Sequence, residues 1–170
     1  GSTFDDFQVQ EFDLSFRLRG REMVAACDDA LYAWGYEGIA RITAAGVEYV
    51  SNAIEPLVWS AINAVSATAE WFEKYAWATA YRSRHKVLFW VPQSVSYGNC
   101  QQALVYDTRM EAWTTWSSTA DATGAGFNGH SPGVVRVSDD RLILGQWIPS
   151  GGGTKLWRER LDYAATDYKD

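Results

Sequence analysis

Short runs of apolar and aromatic residues, bounded by Gly, Asp, Asn or Ser, fill most of this chain. That is the pattern of β-strands joined by turns. Ala30-Leu31-Tyr32-Ala33-Trp34 leads through Gly35 to Gly38 into Ile39-Ala40-Arg41-Ile42-Thr43, and then through Ala44 to Gly46 into Val47-Glu48-Tyr49-Val50-Ser51. These segments predict a three-stranded antiparallel meander. A second unit opens with a hairpin in which Trp77 to Arg82 and Lys86 to Val91 flank a polar turn at Ser83 to His85, and its first arm is expected to be the outer strand. The unit continues past Pro92, Gly98 and Asn99 to Ala103-Leu104-Val105-Tyr106-Asp107, and returns from Asp107 to Glu111 into Trp113-Thr114-Thr115-Trp116-Ser117. A third begins at Arg141-Leu142-Ile143-Leu144-Gly145, turns through Pro149 and Gly151 to Gly153, and resumes at Lys155-Leu156-Trp157-Arg158-Glu159-Arg160 without a third strand.

The units occupy roughly residues 30–51, 77–117 and 141–161, and the strands opening at Leu31, Val87 and Leu142 stand 56 and 55 residues apart. A small meander cannot bury both of its faces alone, so repeated meanders must stack on one another. The expected fold class is therefore mainly β, with antiparallel meanders resembling β-propeller blades in a single blade-repeat domain. A propeller typically closes with about four to eight blades, so three blade-like units make an incomplete one. The competing architecture is an irregular β-sandwich with fortuitous spacing.

Three stretches depart from the strand pattern. Ile54, Leu57, Val58, Ala61, Ile62 and Val65 follow the spacing of one helix face, which predicts a short helix over about 53–65. Asn52 can cap it, Glu55 completes a capping-box pattern, and Pro56 is tolerated in the first turn. Residues 117–133 are rich in Ser, Thr, Ala, Gly and Asp and predict an exposed loop. Phe7, Val9, Phe12, Leu14 and Phe16 alternate with a slip near Gln10, suggesting a bulge or a change of strand in a segment that pairs with Glu22 to Cys27.

Composition supports the β reading: nine Trp, nine Tyr and seven Phe make up 15% of 170 residues, and such rings suit half-buried pleated surfaces. The formal net charge is −6, and the basic concentration from Arg17 to Arg21 is interrupted by Leu18 and Gly20. Nothing in that balance predicts sequence-specific nucleic-acid binding, and no apolar run is long enough to insert in a membrane. The first twenty residues lack the basic-then-apolar order of a signal peptide, so the mature chain reads as soluble. Gly1-Ser2 has the look of a cloning remnant and Asp167-Tyr168-Lys169-Asp170 of a native end or the start of an epitope tag, which suggests a piece of a longer polypeptide. Cys27 and Cys100 belong to no metal-binding cluster and are expected to be reduced, buried thiols, with a disulfide between neighbouring strands as the alternative.

Candidate chemistry is thin. Gly124-Ala125-Gly126-Phe127-Asn128-Gly129 matches a dinucleotide fingerprint in letters, but polar Thr119 to Thr123 precedes it and His130-Ser131-Pro132-Gly133 forbids the helix that should follow. Gly151-Gly152-Gly153-Thr154-Lys155 looks like a phosphate loop with its Lys and Thr reversed, and reads better as a turn. His85 and His130, the only histidines, are expected in surface turn and loop positions. Asp28-Asp29 and Asp139-Asp140 precede strands, where Asp accepts hydrogen bonds from turn backbone; a glycosidase carboxylate pair is the sharper alternative. Trp113 and Trp116, three apart, are expected on opposite faces, one toward a neighbouring blade and one outward. No catalytic, cofactor-binding or metal-binding residue emerges, and the chain is not expected to be an enzyme.

Ala30 to Ile39, Tyr81-Arg82-Ser83-Arg84 before Val87 to Pro92, and Leu104-Val105-Tyr106-Asp107-Thr108 with Ala112-Trp113-Thr114-Thr115-Trp116 together resemble bacteriophage virion proteins. In particular they are similar to the β-propeller-bearing tail nozzle or head-to-tail stabilisation proteins of short-tailed phages, over most of the span from Leu31 to Arg160. The resemblance implies a non-enzymatic virion structural protein, a homo-oligomeric ring subunit that contacts other tail proteins around the DNA exit channel. An acidic chain suits a channel that must not hold DNA tightly. A carbohydrate- or receptor-binding β module with glycan contact through its tryptophans is the alternative function, and a propeller-type glycoside hydrolase stands last.

Overall fold

The computed structural model describes residues 16–64, 69–92, 100–117, 131–148 and 153–158. Within them the chain is mainly β, arranged as three antiparallel sheets that follow one another along the sequence. The first is β1 (Val24–Cys27), β2 (Ala30–Trp34), β3 (Ile39–Thr43) and β4 (Gly46–Tyr49), each paired with the next. The second is β5 (Trp77–Tyr81), β6 (Lys86–Pro92), β7 (Cys100–Asp107) and β8 (Ala112–Ser117), in the same order. The third comprises β9 (Ser131–Arg136), β10 (Arg141–Ile148) and β11 (Gly153–Arg158), with β10 central.

Antiparallel meanders are therefore present among the described residues, but the strands that open them differ from the sequence reading. The strands expected to open the first and third units, at Leu31 and Leu142, are second strands, and β1 and β9 precede them. Glu22 to Cys27 was expected to pair with the segment from Phe7; Phe7 to Ser15 lie outside the described residues, and β1 pairs with β2. Ser131–Gly133, at the end of the expected loop, belong to β9, whose edge position accommodates Pro132. β5 is an edge strand of its sheet, as the hairpin reading expected, and it meets both neighbouring sheets, through β1 and through β9. A backbone bond from Ala78 N–H to Glu22 C=O, 2.7 Å, reinforces the first of these seams.

Sheet packing follows from period-two alternation. In β6, Val87, Phe89 and Val91 join a cluster with Tyr32, Trp34, Ile39 and Cys27 of the first sheet. Leu88 and Trp90, on the opposite face, join Leu142 and Leu144 of the third. Both faces of the second sheet are thus buried, which is why β6 reads as an unbroken apolar run rather than an alternating one. Aromatic geometry marks each seam: Trp34 meets Phe72 edge-on at 5.0 Å and Phe89 at 6.0 Å, while the cross-strand pair Trp77 and Trp90 stacks at 5.2 Å.

Between the first two sheets stand α1 (Glu55–Ala64), preceded by a 3-10 turn at Asn52–Ile54, and α2 (Ala69–Tyr75). The helix predicted over 53–65 is present, but its capping box is not. Asn52 lies inside the opening turn, Glu55 Oε1 accepts from Trp59 Nε1 at 3.3 Å, and Ser51 Oγ accepts from the Ile39 N–H at 2.9 Å. Val58 is buried, with Ile54, Ala61 and Ile62 packed beside it, whereas Leu57 faces solvent and Val65 lies outside the described residues. The second helix was not foreseen; it places Phe72, fully buried, under Trp34. Gly38 adopts φ +144° in the turn between β2 and β3, and a Cβ there would lie 2.7 Å from Ser51 Oγ.

Truncating β6 from either face should be equally damaging. Phe89→Ala and Leu88→Ala are each expected to lose about 2–5 kcal/mol of unfolding free energy by the transfer and cavity cost of large-to-small core changes. The exposed Val134→Ala should stay within about 0.5 kcal/mol. Chemical denaturation of the three variants measures the contrast.

Candidate functional site

Polar side chains from different sheets converge at the turns that lead into the second strand of each meander, joined by Thr108 of the turn between β7 and β8. Asp28, His85 and Asp140 occupy matching positions there, just ahead of β2, β6 and β10, and all three adopt left-handed backbone, at φ +53°, +52° and +53°. Asp and His tolerate that conformation better than most side chains, and their polar tips are then free to reach across the seam.

Asp28 of the first sheet reaches the second. Its Oδ1 lies 2.8 Å from His85 Nδ1, and its Oδ2 accepts from Thr108 Oγ1 at 2.6 Å. An ionised carboxylate only accepts, so His85 Nδ1 carries the proton. The backbone closes the same ring: the Thr108 N–H donates to the His85 C=O at 2.8 Å, and Arg82 Nε to the Ala26 C=O at 3.1 Å. Asp140 of the third sheet does the mirror task, receiving the Tyr81 hydroxyl on its carbonyl at 2.6 Å and the Ser83 hydroxyl on its carboxylate. One carboxylate from each flanking sheet thus grips the turn between β5 and β6.

An Asp, a His and a Thr within hydrogen-bond reach invite comparison with a nucleophile relay. The geometry differs in the decisive bond. A relay needs the hydroxyl on the free imidazole nitrogen, so that the ring can take its proton. Here the Thr108 hydroxyl donates its one proton to the Asp28 carboxylate, with the His85 C=O at 3.1 Å from the same oxygen, and the group works as a latch between sheets. The Asp28 carboxyl is held below its ordinary value, chiefly by the Thr108 hydroxyl and then by the His85 hydrogen bond. Asp107 is lowered as well, mainly by the Met110 N–H and further by the Arg109 N–H, as its side chain closes the hairpin into β8.

The remaining candidates take structural places. Asp29 is exposed in its turn, and Asp139 pairs with Arg136 within a single turn, Arg136 Nε to Asp139 Oδ1 being 2.7 Å. Trp113 and Trp116 do face opposite sides, but neither points outward: Trp113 packs on Phe89 and Tyr106 and donates to the Val50 C=O at 2.9 Å, while Trp116 packs into the cluster shared with the third sheet. Gly153 opens β11, so no helix follows the glycine run; Gly124 to His130, with Gly151 and Gly152, lie outside the described residues. Cys27 and Cys100 are free and buried in different clusters. Burial raises both thiols above the ordinary range, and for Cys27 the nearby Asp28 adds to it. Among the described residues no three of His, Cys, Asp and Glu group as metal ligands would, and no helix is long and apolar enough to cross a membrane.

The sequence flagged Asp28, His85 and Asp140 only as turn residues and missed Thr108, Ser83 and Tyr81 as their partners. Aligning the second strands would have exposed the signal, since an Asp or His precedes each at a turn. No protein-family profile and no curated protein sequence matches this chain.

The latch has a pH signature. A carboxyl whose folded pKa is depressed contributes stability that is complete above its unfolded value and is lost as pH falls through the folded one. Stability should therefore hold above about pH 5 and decline as pH drops through 3.8, the ordinary value for Asp28, and below it. Asp28→Asn should flatten that decline in urea-denaturation midpoints measured against pH, whereas Asp29→Asn should leave it unchanged.

Proposed function

We propose that this chain is a non-enzymatic structural module of a bacteriophage virion, a ring-forming part of a tail nozzle or head-to-tail connector, with its three sheets acting as consecutive blades of a propeller. What carries the reading is the order of the stack: β1, β5 and β9, the first strands of successive meanders, meet one another in sequence, as innermost blade strands do around a common axis. Such a stack ends in two faces that still want a partner. Turned away from the second sheet, the first carries Val24, Leu31, Ile42 and Val47 on one face by register, with Leu31 45% exposed. At the other end Val134, Ile143 and Leu156 share the outer face of the third sheet, Val134 62% and Leu156 78% exposed. Faces of this kind seat further blades, and a multimeric ring supplies them.

A glycan-binding platform draws less support, because Trp113 and Trp116, the tryptophans that suggested it, are committed to the seams between sheets. The enzymatic reading draws less still, since the converging polar groups lock the sheets together.

The assembly reading is tested by light scattering and electron microscopy of the protein. The expected result is a discrete ring-shaped oligomer that Leu31→Glu or Val134→Glu converts to monomer, with the β-rich circular dichroism spectrum intact. A strictly monomeric wild-type protein that binds no other virion component would overturn it.

A further inference from the structure

Arg17 to Arg21 is a short cluster of cations in this acidic chain, and the fold gives it a definite geometry. Before the first sheet the backbone runs antiparallel to the end of β2: Leu18 bridges Gly35, the Arg19 N–H donates to the Trp34 C=O at 3.0 Å, and the Tyr36 N–H to the Arg17 C=O at 3.1 Å. Arg17 and Arg19, two residues apart in extended chain, therefore fall on one side. Both guanidinium groups lie over the same ring, their central carbons 4.9 and 4.6 Å from the Tyr36 centroid.

The two cations differ in exposure. Arg17 is open to solvent, whereas Arg19 retains 8% of its surface. One Arg19 Nη donates to the Tyr36 C=O at 3.3 Å, the Phe72 ring stands 5.9 Å away, and its Nε is buried without an acceptor. Among the described residues neither arginine has a carboxylate partner; Arg21, on the same stretch, pairs with Glu22. Glu73, the carboxylate beside this group, accepts from the Tyr36 hydroxyl at 2.8 Å. The segment is also pinned. A Cβ on Gly20 would lie 2.6 Å from the Glu73 carbonyl oxygen, so Gly20 lets the chain pass against α2 and fixes Arg19 beneath Tyr36.

A guanidinium withdrawn from water without a carboxylate beside it is unfavourable, and a ring face returns only part of that cost. The missing element is a negative charge. We propose that Arg17, Arg19 and Tyr36 form a binding site for an oxyanion, a carboxylate or a phosphate group, whose charge the guanidinium groups held on the Tyr36 ring receive. Planar forks suit two-oxygen acceptors better than a point charge would, and the ring holds both at fixed orientation before the anion arrives. This inference stands apart from the assembly reading and needs no ring to be tested.

The experiment is a thermal-denaturation titration of the protein with inorganic phosphate, and separately with acetate, at ionic strength held constant with sodium chloride. An anion that binds only the folded state raises the midpoint, and the wild-type protein should gain about 2–4 °C at saturation. Arg17→Gln, at an exposed position where folding is not at stake, should lose the gain, and Arg19→Lys should reduce it by removing the fork while keeping the charge. Arg21→Gln, with the same change of charge four residues from Arg17, should retain it. A response to phosphate alone assigns the site to phosphate groups, a response to acetate alone to carboxylates, and a response to both to either. No rise with either anion, or a rise that Arg17→Gln leaves intact, overturns the proposal.

Discussion

A strand covered on both faces has no polar side to give to water, so every residue along it must find apolar company. β6 is in that position, with Val87, Phe89 and Val91 turned to the first sheet and Leu88 and Trp90 to the third. Each of these larger side chains gains about 1.5–3 kcal/mol from burial, and the gains are realised only if both flanking sheets are present. The arrangement makes the outer sheets dependent on the middle one. It also sets the spacing at the first seam, where the Trp34 ring of the first sheet meets the Phe89 ring of the second edge-on.

Hydrophobic seams alone would let the sheets slide, since apolar contact has no direction. Direction comes from the turns, where Asp28 and Asp140 adopt left-handed backbone and reach across to His85, Thr108, Tyr81 and Ser83. The same device appears on both sides of the middle sheet. The polar groups at both seams are thereby engaged in holding neighbouring sheets together.

Much of the fold was legible in advance because strand and turn signals are local. Alternating runs such as Ala30 to Trp34 and Ala103 to Asp107 declare themselves within a few residues, and so do Asp107 and the Gly35 to Gly38 turn. The strands that open the first and third meanders were not legible, because β1 and β9 are short, contain Ala, Ser, Pro and Gly, and owe their strand state to pairing with β2 and β10. α2 escaped for a similar reason, being only seven residues long and anchored by Phe72. Of the candidate site, residue types were visible and partners were not: Thr108 and Asp28 are eighty residues apart, and nothing local to either predicts their meeting.

The sequence by itself determined that this chain forms antiparallel meanders and that a helix interrupts them, because each rests on side-chain periodicity and turn chemistry within a short window. Tertiary structure alone decided which edge of each sheet faces its neighbours, that Trp113 and Trp116 both turn inward, and that Arg17 and Arg19 share one ring. Those outcomes depend on how sheets distant in sequence divide a common core, and that division is settled only when all of their faces compete for burial at once.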